Sequence, residues 1–273
     1  MPELPEVETV RRTLKDLILG RTIINVDIRY KNIIEYPDVQ EFKKNILNQT
    51  FNDIKRKGKW LMFELDDYYL LSHLRMEGKY NLKDKDIPYD KHEHIIFELD
   101  NNKTLRYKDT RKFGKMHLLK KDEVYDKKPL NELGMEPFEA DSILVLEKYK
   151  NKKLPIKTVL LDQSIITGIG NIYADEILFL SRINPLKKGC ELNNKELNNI
   201  IENTSRILKE AIKMGGTTIK SYESEKGVHG RFQNNLLVHN HEGDKCPICN
   251  SIIIKIKVNG RGTYYCPKCQ GEL

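Results

Sequence analysis

The segment Cys246-Pro-Ile-Cys249-Asn-Ser-Ile-Ile-Ile-Lys-Ile-Lys-Val-Asn-Gly-Arg-Gly-Thr-Tyr-Tyr-Cys266-Pro-Lys-Cys269 constrains the fold more tightly than any other part of the chain. It holds four of the five cysteines, as two Cys-x2-Cys pairs separated by sixteen residues. Four thiolates at such corners can form the tetrahedron of a closed structural zinc site. Disulfides are the alternative, and a cytosolic redox environment disfavours them. We therefore predict one structural zinc, bound by Cys246, Cys249, Cys266 and Cys269, and no catalytic metal.

The residues between the two cysteine pairs predict a β-hairpin. Ile252–Val258 and Thr263–Tyr265 are β-branched and aromatic runs, and Asn259-Gly260 is a typical two-residue turn. Zinc would anchor this hairpin, whose turn presents Arg261. The fifth cysteine, Cys190, is most simply a free thiol with no role visible in the sequence.

Upstream of the hairpin the apolar residues recur at helical spacing, which predicts a helical domain closed by the zinc hairpin. A polar loop rich in glycine, serine and threonine, Gly215–Gln233, interrupts the helical pattern and is expected to be mobile. The predicted helices are Ile143–Tyr149, Ile156–Gln163, Ile172–Ile183 and Lys195–Met214.

The N-terminal half has a different pattern. Pro5 and the apolar residues that follow predict an amphipathic helix ended by Gly20. From Thr22 to Leu119 short strand-like runs alternate with turn residues, which favours a β-sandwich or barrel. Residues 121–140 are polar and contain Pro129, Gly134 and Pro137, so they predict a linker. A chain of 273 residues fits two such domains.

Composition excludes some classes of protein. The chain is 39% hydrophobic, 8% aromatic and 32% charged, and it has no apolar run of the roughly 18 residues that a spanning helix needs. Residues 1–10 are acidic and proline-containing, unlike a signal peptide, so a cytoplasmic location is expected. The net charge of +7 suits a polyanionic partner but does not require one.

Three segments could bind an anion such as a DNA phosphate. Residues 164–171 contain two glycines before a predicted helix start, where free amides point outwards, although this signal alone is weak and favours a plain turn between helices. Residues 55–59 and 103–115 are basic clusters that could also be solvated faces. Together with the arginine at the hairpin turn, these segments make nucleic acid the leading hypothesis for the partner.

The N-terminus offers a nucleophile. Pro2 is small enough for Met1 to be removed in the cell, which would leave a secondary amine of which roughly 10% is neutral at pH 7. Such an amine can attack a sugar carbon and form an iminium, and Glu3 could transfer the protons that this chemistry requires. Alternatively, both residues could simply begin the first helix.

Four motifs, in this order along the chain, resemble those of the bacterial formamidopyrimidine-DNA glycosylase family. Members of this family remove oxidised purines, chiefly 8-oxoguanine and formamidopyrimidines, and then cut the abasic strand by β,δ-elimination. The motifs are Met1-Pro-Glu-Leu-Pro-Glu-Val-Glu-Thr9, Asp109-Thr-Arg-Lys-Phe-Gly114, Gly168-Ile-Gly-Asn-Ile-Tyr-Ala-Asp-Glu176 and Gly260-Arg-Gly-Thr-Tyr-Tyr-Cys-Pro-Lys-Cys-Gln270.

The resemblance implies an α+β fold of two domains. Residues 1–120 would form a catalytic β-sandwich with an N-terminal helix, and residues 121–140 the linker. Residues 141–235 would form a helix-two-turns-helix DNA-binding domain with a lesion loop at 215–233, and residues 236–273 the zinc finger. The expected partner is damaged double-stranded DNA, bound by a monomer in the bacterial cytoplasm and so associated with the nucleoid, without any membrane.

The resemblance also implies roles for individual residues. Pro2 would be the Schiff-base nucleophile and Glu3 the proton donor in base release. Lys59 would assist elimination, and Arg261 would grip the phosphates around the extruded nucleotide. Arg111 would face the orphaned cytosine while Phe113 wedges the stack. The remaining residues that match DNA-contact positions are Met76, His92, Lys153, Lys157 and Asn171.

Two rival functions stay open. Endonuclease VIII is a sister glycosylase that prefers oxidised pyrimidines, and its start usually reads Pro-Glu-Gly-Pro, where this chain has Leu4. A non-catalytic zinc-ribbon DNA-binding protein would leave Pro2 and Glu3 unexplained. Lys112 and Arg75 depart from the commonest spelling of the family motifs, so local DNA contacts at these positions could differ.

Overall fold

Helix α1 (Leu4–Ile18) opens the chain, as the sequence predicts. Glu3 is its N-cap residue and Pro5 lies in its first turn, where a missing amide hydrogen costs nothing. The apolar face of α1 is buried at Val7, Val10 and Leu14. The computed structural model describes residues 1–217 and 231–271, so most of the predicted lesion loop lies outside the described residues.

Strands form two sheets within residues 1–131. One has four strands in the order β1-β7-β8-β6, and the other has five in the order β2-β9-β5-β4-β3. Every strand pair is antiparallel except β2 with β9. The strands are β1 (Ile23–Ile28), β2 (Ile34–Tyr36), β3 (Asp53–Lys57), β4 (Trp60–Glu64), β5 (Tyr68–His73), β6 (Lys79–Asp84), β7 (Glu93–Leu99), β8 (Lys103–Lys108) and β9 (Lys115–Lys120).

The two sheets share a single apolar core, which makes this unit a sandwich. Val26 and Phe97 of the four-stranded sheet belong to the same buried cluster as Phe63 and Leu70 of the five-stranded sheet. Helix α2 (Val39–Ile46) adds Phe42 to that cluster. Burial of such side chains is worth about 1.5–3 kcal/mol each, which fixes the strand ends and the loops between them.

The second compact unit consists of residues 132–217 and 231–271. Its longest helix, α6 (Asn194–Lys213), buries apolar residues that recur at helical spacing in the sequence, including Leu197, Ile200 and Leu208. Its elements are α3 (Ser142–Lys150), α4 (Ile156–Leu160), α5 (Asn171–Ser181), α6 (Asn194–Lys213), β10 (Ile254–Val258), β11 (Arg261–Tyr265) and α7 (Pro267–Gln270).

The predicted fold class is confirmed: a sheet-rich N-terminal unit begins with a helix, and a helical unit carries a β-hairpin. The hairpin register pairs Val258 with Arg261, so Asn259 and Gly260 form the predicted two-residue turn. Both turn residues have positive φ angles, which this type of turn requires. Among residues 1–217 and 231–271, no helix has the length and apolar character needed to cross a membrane.

Candidate active site and nucleic-acid interface

Pro2 and Glu3 lie buried at the start of α1. The backbone amide of Glu3 donates to Glu6 Oε2 at 2.8 Å, and the carbonyl oxygen of Glu3 accepts from the Val7 amide at 3.0 Å. These bonds fix the backbone of residue 3 and therefore the place from which a residue-2 amine would act. With Met1 present the Pro2 nitrogen is an amide, so the amine requires removal of Met1.

Lys59 occupies the two-residue turn between β3 and β4, where Lys57 pairs with Trp60. Gly58 takes a positive φ angle in this turn. The Arg56 guanidinium donates to the Gly58 carbonyl oxygen at 2.8 Å and lies 3.4 Å from Glu8 Oε2. Helix α1 thus supports both the Pro2-Glu3 end and the turn that carries Lys59.

Glu8 is the anchor of that support. Burial opposes its ionisation, but hydrogen bonds and charges from Arg11, Arg12 and Arg56 outweigh burial and hold the pKa of Glu8 below its ordinary value. Its Oε1 atom lies 2.8 Å from a nitrogen of Arg11 and 2.8 Å from a nitrogen of Arg12. The ionised carboxylate therefore persists at neutral pH and keeps Arg56 in place.

His73 lies behind the Lys59 turn, with its ring 4.9 Å from the ring of Trp60. Burial, together with the charges of Arg75 and Lys59, lowers the pKa of His73 to about 3. The neutral ring accepts a hydrogen bond at Nδ1 from the Arg75 amide at 3.0 Å. Arg75 has a φ of 53°, so a non-glycine residue adopts the left-handed region directly before Met76.

Two exposed loops carry the predicted stack-filling side chains. Met76 is 39% exposed and Phe113 is 48% exposed, so both side chains are accessible to a partner. The Arg111 guanidinium lies 4.6 Å from the centroid of the Phe113 ring, so the two side chains form one exposed unit. His92, which precedes β7, is half-buried, and its carbonyl oxygen accepts from the Asp109 amide at 3.0 Å.

Much of the charge in the two predicted basic clusters is committed to internal ion pairs. In residues 55–59, Lys55 pairs with Glu64 at 2.6 Å and Arg56 with Glu8. In residues 103–115 the pairs are Lys103–Asp84, Arg106–Glu93, Lys108–Asp90 and Lys115–Glu35. Arg111 and Lys112 instead lie exposed, over the rings of Phe113 and Tyr30. The exposed basic surface of the second cluster is therefore smaller than the sequence suggests.

The four predicted zinc ligands converge in the second unit. Their Sγ atoms all lie within 4.8 Å of one another, with 3.8 Å between Cys246 and Cys269 and 3.4 Å between Cys249 and Cys266. Zinc bound tetrahedrally at about 2.3 Å would set its sulfurs about 3.8 Å apart. The cluster therefore fits a closed structural zinc site.

Asn171 and the hairpin meet within the same unit. Asn171 is the first residue of α5, and its side-chain amide donates to the Gly262 carbonyl oxygen at 2.9 Å. Gly262 follows Arg261, whose side chain is exposed. Asn259 in the hairpin turn donates to Thr158 Oγ1 at 3.0 Å. The helix start and the arginine thus lie side by side, as expected for one phosphate-binding surface.

The two predicted lysine contacts differ in their surroundings. Lys153 is exposed between α3 and α4, where it can reach a bound polyanion. Lys157 is fully buried: its ammonium pairs with Asp175 and donates to the Asn171 carbonyl oxygen at 3.0 Å. The ammonium is therefore bonded inside the unit, and the DNA contact of Lys157 stays a prediction. The lysine holds the backbone of Asn171.

Sequence reasoning missed the partners that complete this buried network. Asp175 Oδ2 lies 2.7 Å from His239 Nδ1, and Glu176 accepts from the backbone amides of residues 237–239 at 2.8 to 3.0 Å. Burial raises the pKa of Glu176 above its ordinary value despite these amides. Two adjacent carboxylates in the Gly168–Glu176 motif were the available signal, but their partners lie more than 60 residues away in the sequence.

Three parts of the chain match domains of known protein families. The chain matches the formamidopyrimidine-DNA glycosylase N-terminal domain over residues 1–116 and the H2TH domain of the same glycosylase over residues 133–223. Residues 243–271 match the zinc finger found in FPG and IleRS. Such a combination defines a DNA glycosylase of base-excision repair with a zinc finger.

Individual proteins are similar to this chain over nearly its full length. The formamidopyrimidine-DNA glycosylase of Oceanobacillus iheyensis is 48% identical, covering 99% of this chain and 98% of the relative. A Lactococcus lactis FPG mutant bound to Fapy-dG-containing DNA has a TM-score of 0.93 at 41% identity, covering 98% of this chain and 99% of that chain. The Lactococcus lactis Fpg bound to abasic-site DNA has the same TM-score and coverage at 40% identity. The chain belongs to the formamidopyrimidine-DNA glycosylase family.

Proposed function

We propose that this chain removes oxidised purines, such as 8-oxoguanine and formamidopyrimidines, from double-stranded DNA and then cuts the strand by β,δ-elimination. The observation that carries the proposal is the buried Pro2-Glu3 pair at the start of α1 in a chain of this family. The two Lactococcus lactis structures contain DNA with Fapy-dG and with an abasic site, which correspond to the substrates of the two steps.

Pro2 is the nucleophile in this proposal. After Met1 is removed, roughly 10% of an α-amino group is neutral at pH 7, against about 0.04% of an ordinary lysine. Its lone pair attacks the sugar carbon that carries the damaged base, and the bond between that carbon and the base breaks as the base takes up a proton. The attached nitrogen then loses its proton, and the bond from the same carbon to the ring oxygen breaks while that oxygen is protonated, which leaves a carbon–nitrogen double bond. The resulting iminium withdraws electrons from the neighbouring carbon, whose proton becomes acidic enough for phosphate to be eliminated.

Glu3 and Lys59 transfer protons around that amine. Glu3 gives a proton to the departing base, because a base that leaves as an anion is a poor leaving group. Lys59, held in the turn that Arg56 and Glu8 support, assists elimination next to the lesion phosphate. Both side chains are largely buried, which strengthens their electrostatic effect on a substrate that excludes water.

Arg261, Asn171 and Lys153 bind the DNA backbone in this proposal, and the zinc fixes the hairpin that presents Arg261. A damaged base cannot be attacked inside the stack, so the nucleotide is turned out into the protein. Met76 and Phe113 then fill the vacated stack while Arg111 faces the orphaned cytosine. His92 contacts the backbone beside these loops.

A trapping experiment tests the nucleophile. A chain lacking Met1 is incubated with a duplex carrying one 8-oxoguanine opposite cytosine in the presence of borohydride. Borohydride reduces the iminium to a stable amine, so a covalent protein–DNA adduct should form and map to residue 2. The matched control is the same chain with Met1 retained, in which the Pro2 nitrogen is an amide and no adduct should form.

Four outcomes would contradict the proposal. One is an adduct at a lysine such as Lys59, and another is undiminished excision by the chain that retains Met1. The third is faster excision of an oxidised pyrimidine than of 8-oxoguanine, which would favour an endonuclease VIII-type enzyme. DNA binding without any strand cleavage would support a zinc-ribbon binding protein instead.

The organisation of the chain forms part of the same proposal. Residues 1–120 act as the catalytic domain and 141–235 as the helix-two-turns-helix domain, with a linker at 121–140 and the zinc finger at 236–273. The predicted lesion loop is residues 215–233, of which residues 218–230 lie outside the described residues. The protein acts as a monomer on damaged DNA in the bacterial cytoplasm, where DNA binding associates it with the nucleoid.

A further inference from the structure

Two exposed loops of the N-terminal unit must enter one DNA stack together if the proposed function is right. The Met76 loop comprises residues 74–78, and the Phe113 loop comprises residues 109–114. They follow different strands, β5 and β8, so sequence proximity does not coordinate them. A tertiary contact must therefore fix the position of the Met76 loop relative to the Phe113 loop.

One buried hydroxyl group lies against both loops. Tyr107 on β8 is fully buried, and its hydroxyl oxygen lies where a side chain at Gly78 or at Gly114 would have to go. A Cβ atom would come within 2.2 Å of this oxygen at Gly78 and within 1.7 Å at Gly114. The backbone of each loop therefore packs directly on the Tyr107 hydroxyl, at Gly78 in one loop and at Gly114 in the other, where only glycine fits.

Asp109 fixes the Phe113 loop to the same point. Its buried carboxylate accepts from the amide of Arg111 at 3.0 Å on Oδ1, and from the amides of Phe113 and Gly114 at 2.9 and 2.8 Å on Oδ2. The Tyr107 hydroxyl donates to the same Oδ2 at 3.4 Å. A carboxylate that accepts several bonds from consecutive amides holds a loop in a single shape.

The Tyr107 hydroxyl remains a donor at physiological pH. Burial, followed by the charge of Asp109 and the neighbouring Tyr80, raises its pKa above the ordinary value. The Tyr80 ring lies 5.2 Å from the Tyr107 ring, and its own hydroxyl donates to Ser72 at 2.8 Å. Packed aromatic side chains of this kind resist sub-ångström displacement because interiors are close-packed.

We propose that Tyr107 and Asp109 are positioning residues for base extrusion: they set the Met76 loop and the Phe113 loop at matched heights so that both fill the vacated stack at once. The proposal rests on the proposed function of Met76, Arg111 and Phe113. Unstacking a base costs a few kcal/mol, which the inserted side chains must offset together. A loop displaced by a fraction of an ångström would leave that cost uncompensated.

Asp109→Asn and Tyr107→Phe test the proposal. Asparagine places an amide donor against one of the three loop amides, and phenylalanine removes the oxygen on which both glycines rest. Loss of such a buried bond corresponds to a fall of about tenfold in base removal from an intact 8-oxoguanine duplex. Cleavage at a ready-made abasic site, which needs less unstacking, should change by less than about twofold.

A spectroscopic signal and a matched control separate positioning from general stability. With 2-aminopurine beside the lesion, the fluorescence rise that reports stack opening should be diminished in both variants, as it should be in Phe113→Ala. Tyr80→Phe removes a neighbouring buried hydroxyl that bonds to Ser72 rather than to a loop. Its fluorescence rise and its base removal should match those of the unmodified chain.

Coupling between variants completes the test. If Asp109 acts through the Phe113 loop, Asp109→Asn combined with Phe113→Ala should be no slower than Phe113→Ala alone. The proposal would be overturned by equal losses on duplex and abasic substrates, by additive losses in the double variant, or by unchanged fluorescence. Failure of the unmodified chain to excise any base would instead overturn the proposed function, so the two failures are distinguishable.

Discussion

The side-chain amide of Asn171 donates a hydrogen bond to the carbonyl oxygen of Gly262 at 2.9 Å. This bond joins the start of α5 to strand β11 of the zinc hairpin, because Gly262 is the residue that follows Arg261 in that strand. On the other side of Asn171, its carbonyl oxygen accepts from the buried Lys157 ammonium. Asn171, which lies in the proposed phosphate-binding surface, is thus bonded both to the hairpin and to the buried lysine.

Arg261→Ala should weaken binding to lesion and undamaged duplexes alike, because a phosphate contact carries no sequence information. The slope of log affinity against log salt should fall by about 1, the change expected when one phosphate contact is lost. Fluorescence anisotropy over a range of salt concentrations measures both quantities. Lys268→Ala, another exposed cation of the zinc finger, is the matched control and should have a smaller effect. A loss confined to the lesion duplex would contradict a phosphate role.

Cys246→Ser should abolish stoichiometric zinc binding and, with it, DNA binding. Cys246 is fully buried and belongs to the apolar cluster of Phe179 and Val238, so loss of the metal also loosens the packing beneath the hairpin. Metal analysis together with an anisotropy titration checks this expectation. Cys190→Ser, at the exposed cysteine outside the cluster, should retain both zinc and DNA affinity. Full binding by a zinc-free protein would refute the structural role of the metal.

Lys157→Met should lower the free energy of unfolding by about 3–5 kcal/mol, because it leaves the Asp175 carboxylate buried without its cation. Lys153→Met removes an exposed lysine from the same region and should change stability by less than about 0.5 kcal/mol while weakening DNA binding. Urea unfolding and anisotropy separate the two effects. Adding Asp175→Asn to Lys157→Met should restore part of the stability, since the unpaired charge is then removed. Equal stability of the two single variants would contradict the buried pair.

Local patterns in the sequence predicted much of this fold. The Asn259-Gly260 turn needs two positive φ angles, which few other residue pairs adopt, so the hairpin register followed directly. Helix α6 has twenty residues, long enough for the helical spacing of its apolar residues to be unambiguous. Helix α2 was missed because it has eight residues and buries only Phe42 and Ile46. Strand β3 was interpreted only as a basic cluster, since Lys55 and Arg56 find their acidic partners elsewhere in the chain.

In the candidate site, too, some residues were predictable from the sequence and others were not. Pro2, Glu3 and the four cysteines were identifiable because their chemistry depends on residue type and short spacing. The supporting residues depend on long-range contacts: the Glu176 carboxylate binds amides 61 to 63 residues away. Burial also gives some basic side chains a structural role that their residue type does not indicate. Lys157 and Arg106 have the residue type of DNA contacts, yet both are fully buried and ion-paired, which no local pattern indicates.

Stability should fall as the pH is lowered from about 6.5 towards 3, in part because of His73. Its pKa is about 3 in the folded chain and about 6.5 when exposed, so between these values the unfolded chain binds a proton that the folded chain excludes. The free energy of unfolding therefore decreases by about 1.4 kcal/mol for each unit of falling pH in this window. His73→Asn retains an acceptor for the Arg75 amide but cannot titrate, so its pH slope should be shallower. Urea unfolding at several pH values would show parallel slopes if His73 were protonated in the folded state.

Glu3→Gln should separate base removal from strand cleavage. Base departure needs a proton donor, and a glutamine at residue 3 can still cap α1 but cannot give up a proton. An abasic site has already lost its base, so the Pro2 amine can attack it without that step. In a chain lacking Met1, excision of 8-oxoguanine should therefore fall by about a hundredfold or more, while cleavage at an abasic site remains appreciable. Single-turnover rates on the two duplexes measure the difference, and borohydride trapping on the abasic duplex serves as the internal control for an intact amine. If Glu3→Gln slowed both reactions equally, Glu3 would act on the amine itself or on the fold, and its assignment as proton donor to the base would be lost.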